Sequence, residues 1–341
     1  MHEDTKAIGK IARARRVGPD VRAIQASAAG GPDVLELVEL PDPTPGPDEV
    51  LVRVAAAGVN FIDIYQRKGI YPLALPYTPG SEGVGIVETA GGGFAVGDRV
   101  LWVNQAGSYA EAHAVATDRL VKVPSKLGDA AAVAAGLQAL TAQFLCESTY
   151  AVKAGDDVLI HAGAGGVGLL LIQMAKLKGA RVFTTVSTQA KAKLAREAGA
   201  DEVILYTESD FVAAVKDKTG GKGVHVVYDS VGQATALGSL SVVRPLGMLV
   251  LFGQSSGVVP PIDPLLLMRQ GSIFLTRPTL FHHIADGTAL QQRAARVFSW
   301  VESGALKLHV GAEYPLAEAG RAQADLEARR TTGKLVLKVS G

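Results

Sequence analysis

The sequence has almost no cysteine, since Cys146 is the only one among 341 residues. A single thiol excludes a disulfide within the chain and any zinc site that requires two or more cysteine ligands. Scarce cysteine is also typical of proteins that work in a reducing compartment. We therefore expect a cytoplasmic protein.

A marked excess of charge is absent too. The chain carries 34 basic and 33 acidic residues, a net charge of +1, so neither nucleic acid nor an acidic membrane surface is predicted as a partner. A long apolar run is also missing. The longest weakly polar stretch, residues 130–146, is interrupted by Gln138, Thr141 and Gln143, and it predicts a buried helix rather than a membrane span.

The first twenty residues lack the apolar core of a signal peptide. Glu3 and Asp4 are also unlike an acid-poor transit peptide. We interpret residues 1–20 as a loose extension that follows from an early start codon. The remaining length, with 48% apolar and 20% charged residues in the whole chain, is enough for two globular domains.

A glycine-rich turn organises the second half of the chain. Residues 158–161 predict a buried strand, and residues 167–178 predict an amphipathic helix directly after the turn. Between them Gly163, Gly165 and Gly168 match G-x-G-x-x-G, in which the first glycine makes the turn, the second admits a pyrophosphate and the third allows close packing. The helix N-terminus then offers free amides to phosphate. The predicted dinucleotide-binding loop comprises Gly163, Ala164, Gly165, Gly166, Val167 and Gly168.

Strands and helices alternate regularly after this loop. Strand patterns begin near residues 181, 202, 224, 247 and 272, and helical patterns separate them. Six strands with helical crossovers predict an α/β fold with a doubly wound parallel sheet, whose ligand lies at the carboxyl ends of the strands.

The end of the second of these strands predicts the cofactor. NAD sites usually place an acid about 20 residues after the glycine loop, where it binds the ribose 2′-hydroxyl. Here no acid occurs between Gly168 and Glu197. Ser187, Thr188 and Lys191 occupy that place and suit a 2′-phosphate, so we predict NADPH. We interpret the nearby Lys193 and Arg196 as part of a solvated helix face.

The first third of the chain has short strand patterns separated by Gly and Pro, which predict a small, partly open β-barrel. It also contains AGVNFIDIYQRKGIYP at residues 57–72 and PGSEGVG at residues 79–85, and the second half contains DSVG, FGQSSG and TRP at 229–232, 252–257 and 276–278. With these motifs in this order, the chain from residue 21 onward resembles the zeta-crystallin-like quinone oxidoreductases, a zinc-free branch of the medium-chain dehydrogenases/reductases.

The resemblance implies a GroES-like catalytic domain at residues 21–139, a Rossmann domain at 140–276 and a return to the catalytic domain at 277–341. In the zinc-dependent branch, a cysteine and a histidine–glutamate pair bind the catalytic metal. The corresponding places here hold residues 58–60 and Ser81-Glu82, so we predict no metal site. A cysteine-free site of histidines and carboxylates was the alternative, but the seven histidines are scattered.

The resemblance also implies site residues beyond the loop. On the acceptor side we expect Asn60, Tyr65 and Tyr71 to be catalytic residues, because their side chains can hydrogen-bond an acceptor oxygen or form an aromatic wall, and Asn60 also to reach the cofactor. Asp63 is expected to be a structural anchor, and His161 a residue with satisfied hydrogen bonds. Further cofactor contacts are implied for Thr141, Tyr206, Ser230, Phe252, Gln254, Ser255 and Lys334.

These residues predict a metal-free and flavin-free NADPH:quinone oxidoreductase, because a quinone accepts hydride at a low barrier and needs no metal or strong acid. One alternative is a reductase of the C=C bond in α,β-unsaturated carbonyls or enoyl thioesters. A second is an NADPH-binding protein with a structural or RNA-associated role. Residues 273–276 would form an apolar edge strand, so we also predict a homodimer formed through it.

Overall fold

The computed structural model describes residues 20–340. Residues 1–19 of the loose extension expected over 1–20 therefore lie outside the described residues, and Asp20 is the first residue of β1. The described chain begins with an antiparallel pair of strands, β1 (Asp20–Ala26) and β2 (Leu35–Pro41). The next elements are β3 (Glu49–Val59), α1 (Phe61–Arg67), β4 (Glu82–Val87), β5 (Arg99–Val103), β6 (Ala112–Ala116) and β7 (Leu120–Lys122).

Two helices then lead into the nucleotide half, α2 (Asp129–Ala134) and α3 (Leu137–Phe144). The alternating elements that follow are β8 (Asp157–Ile160), α4 (Gly166–Leu177), β9 (Arg181–Val186), α5 (Gln189–Glu197), β10 (Glu202–Leu205), α6 (Phe211–Lys218), β11 (Val224–Asp229), α7 (Ala236–Ser241), β12 (Val243–Leu251), α8 (Pro264–Arg269) and β13 (Phe274–Thr276). The described chain closes with α9 (Leu280–His283), α10 (Gly287–Glu302), β14 (Val310–Pro315), α11 (Ala319–Glu327) and β15 (Lys334–Lys338).

The nucleotide half forms one six-stranded sheet in the order β10-β9-β8-β11-β12-β13, with every neighbouring pair parallel. This is the doubly wound order, in which the strand sequence reverses beside β8 and leaves a crevice at the carboxyl ends. The strands are almost continuously buried, as expected for a sheet covered by helices on both faces. The predicted α/β class is confirmed.

The first half and the last segment together form a seven-stranded sheet. Its order is β14-β15-β3-β4-β5-β7, and β6 pairs with β3. Strand β15 lies antiparallel to β3, so the end of the described chain returns to the β domain. This return brings β15 to the same edge as the helix α1 that follows β3.

The predicted helix over residues 130–146 is wrong in one respect, because it is broken between α2 and α3. A Cβ at Gly136 would overlap the carboxylate of Glu82, which accepts a hydrogen bond from the backbone N–H of Leu137 at 2.6 Å. The glycine at this break therefore leaves space for the Glu82 carboxylate to bind the first backbone amide of α3. Within residues 20–340, the stretch Asp129–Thr149 is long and apolar enough to cross a membrane, but 72% of its apolar window is buried inside the structure.

Candidate active site

The glycine loop connects β8 to α4 and is shaped as a cradle. Gly165 precedes α4 with extended backbone and no capping side chain, so the first amides of α4 are free to donate to an anion. A Cβ at Gly163 would overlap Thr184 of β9, and a Cβ at Gly168 would overlap the carbonyl of Ala162. Two of the three motif glycines therefore permit close packing.

The turn has one feature that the motif did not predict. The left-handed residue is Ala162, with φ of 55°, and Gly163 does not adopt a positive φ. The carbonyl of Ala162 accepts a hydrogen bond from the N–H of Gly165 at 2.9 Å, which closes the turn. Glycine is required at position 163 because a Cβ there would overlap Thr184 of the next strand.

The predicted 2′-phosphate residues lie together where β9 ends. Thr188 caps α5 by accepting a hydrogen bond from the N–H of Lys191 at 3.3 Å. The ammonium of Lys191 donates to the backbone carbonyl of Arg329 at 2.6 Å, which holds it at this edge. Tyr206 follows β10, is 44% exposed and donates its N–H to the last residue of β9, Val186.

Arg329 is a neighbour of this edge that the sequence did not reveal. It has φ of 58° and belongs to the loop before β15. Lys193, interpreted above as solvated, lies 3.9 Å from Glu197 one helical turn away, and its side chain is 77% exposed.

The ends of β11 and β12 form the floor of the crevice. Ser230 follows β11, and its carbonyl accepts a hydrogen bond from the N–H of Ser255 at 3.2 Å. Phe252 donates its N–H to Asp229 at 2.9 Å, and a Cβ at Gly253 would overlap Ser230. The predicted nicotinamide-side residues Ser230, Phe252 and Ser255 are therefore brought together at the carboxyl edge of the sheet.

The predicted acceptor tyrosines lie opposite this floor. Tyr65 of α1 accepts a hydrogen bond on its hydroxyl from the N–H of Gln254 at 3.0 Å. Its ring meets Tyr71 edge to face, with centroids 5.5 Å apart. Burial raises the pKa of Tyr65, so its phenol is protonated at neutral pH. Both tyrosines belong to the site that faces the end of β12.

Arg277 completes this group, although no role was predicted for it. One guanidinium nitrogen donates to the carbonyl of Gly253 at 2.7 Å. The other donates to the hydroxyl of Tyr71 at 3.3 Å and to the side-chain oxygen of Gln254 at 3.4 Å. The TRP motif at residues 276–278 was the available signal.

A second cluster surrounds Asn60, which is 4% exposed. Its amide nitrogen donates to Glu82 at 2.7 Å, and its amide oxygen accepts from the ammonium of Lys334 at 2.9 Å and from Gln138 at 3.4 Å. Lys334 also forms an ion pair with Glu82, and both side chains are almost completely buried. The cluster fixes which end of the Asn60 amide faces which partner.

This cluster touches the glycine loop. Gly333 donates its N–H to Ala164 at 3.0 Å, so the turn before β15 pairs with the loop. Gln138 packs over Gly166, and its amide oxygen is buried without a hydrogen-bond partner among the described residues. Thr141 lies one turn further along α3 and is half-buried. The predicted cofactor role of Lys334 stays a prediction, because its ammonium points to Glu82 and Asn60.

Asp63 is a structural anchor, as expected. Its fully buried carboxylate accepts hydrogen bonds from the N–H of Asn60 at 2.9 Å, Ser81 at 2.8 Å and Tyr109 at 3.1 Å. Burial raises the pKa of Asp63 to about 6. His161 also behaves as expected, since its two ring nitrogens lie 2.9 Å from hydroxyls of Thr185 and Ser239.

The positions where the zinc-dependent branch binds metal have other partners here. Ser81 donates to Asp63, and Glu82 is paired with Lys334. Among residues 20–340 no group of three or more His, Cys, Asp or Glu is arranged to hold a metal ion.

Two family models match the chain, the alcohol dehydrogenase GroES-like domain at residues 46–125 and the zinc-binding dehydrogenase at residues 166–299. A quinone oxidoreductase from Pseudomonas aeruginosa is 44% identical, over 93% of this chain and 99% of its own. The chain belongs to the quinone oxidoreductase family.

Two further relatives show what the same fold accommodates. The Escherichia coli quinone oxidoreductase, solved with NADPH, is 40% identical with a TM-score of 0.90, over 93% of this chain and 99% of its own. A 2-haloacrylate reductase from Burkholderia is 40% identical, over 90% of this chain and 96% of its own.

Proposed function

We propose that this protein is an NADPH-dependent quinone oxidoreductase. The observation that carries the proposal is one crevice with two unlike walls. The glycine cradle and the base-lined end of β9 form the cofactor side, and Tyr65, Tyr71 and Arg277 form the acceptor side. The hydrogen bond from Gln254 to Tyr65 joins the two walls.

The cofactor side fits NADPH in the described residues. The amides at the start of α4 would bind the pyrophosphate, and the lack of a Cβ at Gly165 leaves room for it. Ser187, Thr188 and Lys191 would bind the 2′-phosphate, since a cation and two hydroxyls suit a dianion. Tyr206 would lie against the adenine, and Thr141, Ser230, Phe252, Gln254 and Ser255 would surround the nicotinamide.

Bound NADPH supplies a hydride, so the protein has to orient the acceptor and provide a proton. A quinone that takes up the hydride and one proton becomes the hydroquinone, so electrons and atoms balance. The neutral phenol of Tyr65 accepts a bond from Gln254 on its oxygen, which leaves its O–H free to donate to the acceptor oxygen. Asn60 is held by Glu82 and Lys334 at the inner end of the same site.

NADPH oxidation measured with a panel of ortho- and para-quinones, enones and enoyl thioesters tests this function. We expect quinones to be turned over with the highest kcat/KM. Fast enone reduction without quinone reduction would replace the proposal by the C=C reductase alternative. Tight NADPH binding with no turnover of any acceptor would favour a non-catalytic binding protein.

The C=C reductase remains the second candidate, because the Burkholderia relative is named for reduction of a 2-haloacrylate. That name describes a conjugated C=C bond next to a carboxylate. The same hydride donor and the same tyrosines would serve such a substrate, so 2-chloroacrylate belongs in the panel.

We also propose a homodimer through the edge of the parallel sheet. In the described chain β13 pairs only with β12, and Phe274, Leu246 and Met268 near this edge are 56%, 69% and 59% exposed. Pairing with a second copy would cover these apolar side chains. The strand is shorter than expected, since Ile273 lies before it and is buried.

Size-exclusion chromatography with light scattering tests the dimer. We expect a dimer at micromolar concentration for the wild type and a monomer for Phe274→Glu. A monomeric wild type would contradict this proposal. We propose in addition a cytoplasmic location without nucleic-acid or membrane partners, which rests on the net charge of +1 and the single cysteine.

A further inference from the structure

Arg277 is a cation without an acidic partner. Its guanidinium is held by backbone oxygens at the end of β12, those of Gly253 at 2.7 Å and Leu251 at 3.3 Å. Among residues 20–340 no carboxylate lies within the 4.0 Å that defines a salt bridge to it. These neutral carbonyls fix its position and leave its positive charge uncompensated.

The free side of the guanidinium points into the acceptor site. Its second terminal nitrogen lies 3.3 Å from the hydroxyl of Tyr71 and 3.4 Å from the side-chain oxygen of Gln254. Both contacts are long and both acceptors are uncharged, so an anion, which accepts more strongly from a guanidinium, could replace them.

Tyr71, which contacts this cation, belongs to a loop that carries several exposed apolar side chains. Ile70, Tyr71, Leu73 and Leu75 are 42%, 40%, 39% and 47% exposed. Tyr65 lies edge to face against Tyr71, which adds a second aromatic surface. The site thus combines surfaces for a flat apolar ring with one positively charged group at its side.

We propose that Arg277 determines acceptor specificity by binding an anionic substituent, a carboxylate or sulfonate, on a flat conjugated acceptor. Guanidinium is a planar donor that matches these groups with two hydrogen bonds, and the carbonyls of Gly253 and Leu251 orient it in advance. The inference rests on the proposed function, because it assigns the substrate class of that same site.

The test compares 1,2-naphthoquinone-4-sulfonate with 1,2-naphthoquinone for the wild type, Arg277→Met and Arg277→Lys. For each quinone, the kcat/KM of each variant is divided by that of the wild type, so the different reactivities of the two quinones cancel. For the sulfonate we expect Arg277→Met to lower kcat/KM by about tenfold or more, mainly through KM, since a hydrogen bond to a charged group is lost. The kcat/KM for the neutral quinone should fall clearly less than that for the sulfonate, and Arg277→Lys should recover part of the loss for the sulfonate.

Ionic strength and a matched variant sharpen the comparison. Added KCl should reduce the preference of the wild type for the sulfonate, because an exposed charge is screened, and should have little effect on Arg277→Met. Arg22→Met removes an exposed arginine of β1 that pairs with Glu111, and it should leave the kcat/KM for both quinones unchanged. Equal loss for the two quinones in Arg277→Met, or a weaker NADPH affinity by fluorescence titration, would overturn the assignment.

A binding measurement separates this inference from the proposed function. Titration of 2-naphthalenesulfonate into the complex with NADP⁺ should show binding to the wild type and none to Arg277→Met. If quinones are not reduced at all, the proposed function fails while this result still supports the anion site. Equal binding to both proteins overturns the anion site whatever the quinone activity is.

Discussion

The hydroxyl of Tyr65 accepts a hydrogen bond from the backbone N–H of Gln254 at 3.0 Å, and this contact joins the helix after β3 to the end of β12. The helix α1 follows a strand of the seven-stranded sheet, and Gln254 follows a strand of the parallel sheet. The contact therefore fixes the proposed acceptor wall against the proposed cofactor wall. It also orients the phenol so that its own proton is free.

Replacing Tyr65 by phenylalanine should lower kcat/KM for quinones by about tenfold, because the acceptor oxygen loses its hydrogen-bond donor. Steady-state kinetics at saturating NADPH measures this change. Tyr314→Phe is the matched control, since that buried tyrosine donates to Asp325 at 2.9 Å in a different part of the structure. If both variants keep the wild-type kcat/KM, Tyr65 has no part in the reaction.

Lys191→Ala should narrow the preference for NADPH over NADH by about tenfold or more, because it removes a charge-assisted contact to the 2′-phosphate. The ratio of kcat/KM for the two cofactors measures it. Lys193→Ala removes a lysine two residues away that is paired with Glu197, and it should leave the ratio unchanged. The same ratio in wild type and Lys191→Ala would remove the assignment.

Lys334→Met should destabilise the protein by about 3–5 kcal/mol, because it leaves the carboxylate of Glu82 buried and unpaired. Urea unfolding followed by fluorescence measures the free energy. Lys338 lies in the same strand as Lys334 and forms an exposed pair with Glu313 of β14, so Lys338→Met should cost about 0–1 kcal/mol. Adding Glu82→Gln to Lys334→Met should recover part of the loss, and an equal cost for the two lysine variants would contradict the role of the buried pair.

The buried imidazole of His113 should make the free energy of unfolding depend on pH. Burial lowers the pKa of this imidazole to about 4, and its Nε2 is buried without a hydrogen-bond partner among the described residues. As pH falls from 6.5 towards 4 the unfolded chain takes up the proton first, so stability falls, with a slope of up to about 1.4 kcal/mol per pH unit. Urea unfolding across this range should show a smaller slope for His113→Leu, and equal slopes would refute the assignment.

Local patterns in the sequence predicted most of the nucleotide half. The strand before the loop, the helix after it and the six-strand alternation are set by neighbouring residues, and the parallel order follows from short right-handed crossovers. The left-handed conformation of Ala162 was not predictable in this way, since Gly163 looked like the turn residue. The need for glycine at position 163 comes from contact with Thr184, which lies on a strand that only the fold brings near.

The acceptor side was predicted less completely for the same reason. Tyr65 and Tyr71 were named because of the motif that contains them, while their partners Gln254 and Arg277 lie about two hundred residues away in the chain. The pair of Lys334 with Glu82 is similarly distant, so neither residue alone indicated a buried ion pair. Contacts between distant segments depend on the assembled fold, and no local periodicity encodes them.

The hydrogen bond from Gly333 to Ala164 has a consequence for how the protein is made. Of all residues that build the crevice, Gly333 and Lys334 are the last to be translated. The parallel sheet can fold while the chain is still on the ribosome, but the cradle stays without its closing turn until these residues emerge. Cofactor affinity is therefore expected to develop only at the end of synthesis, and ribosome-bound chains that stop short of Gly333 should bind NADPH weakly.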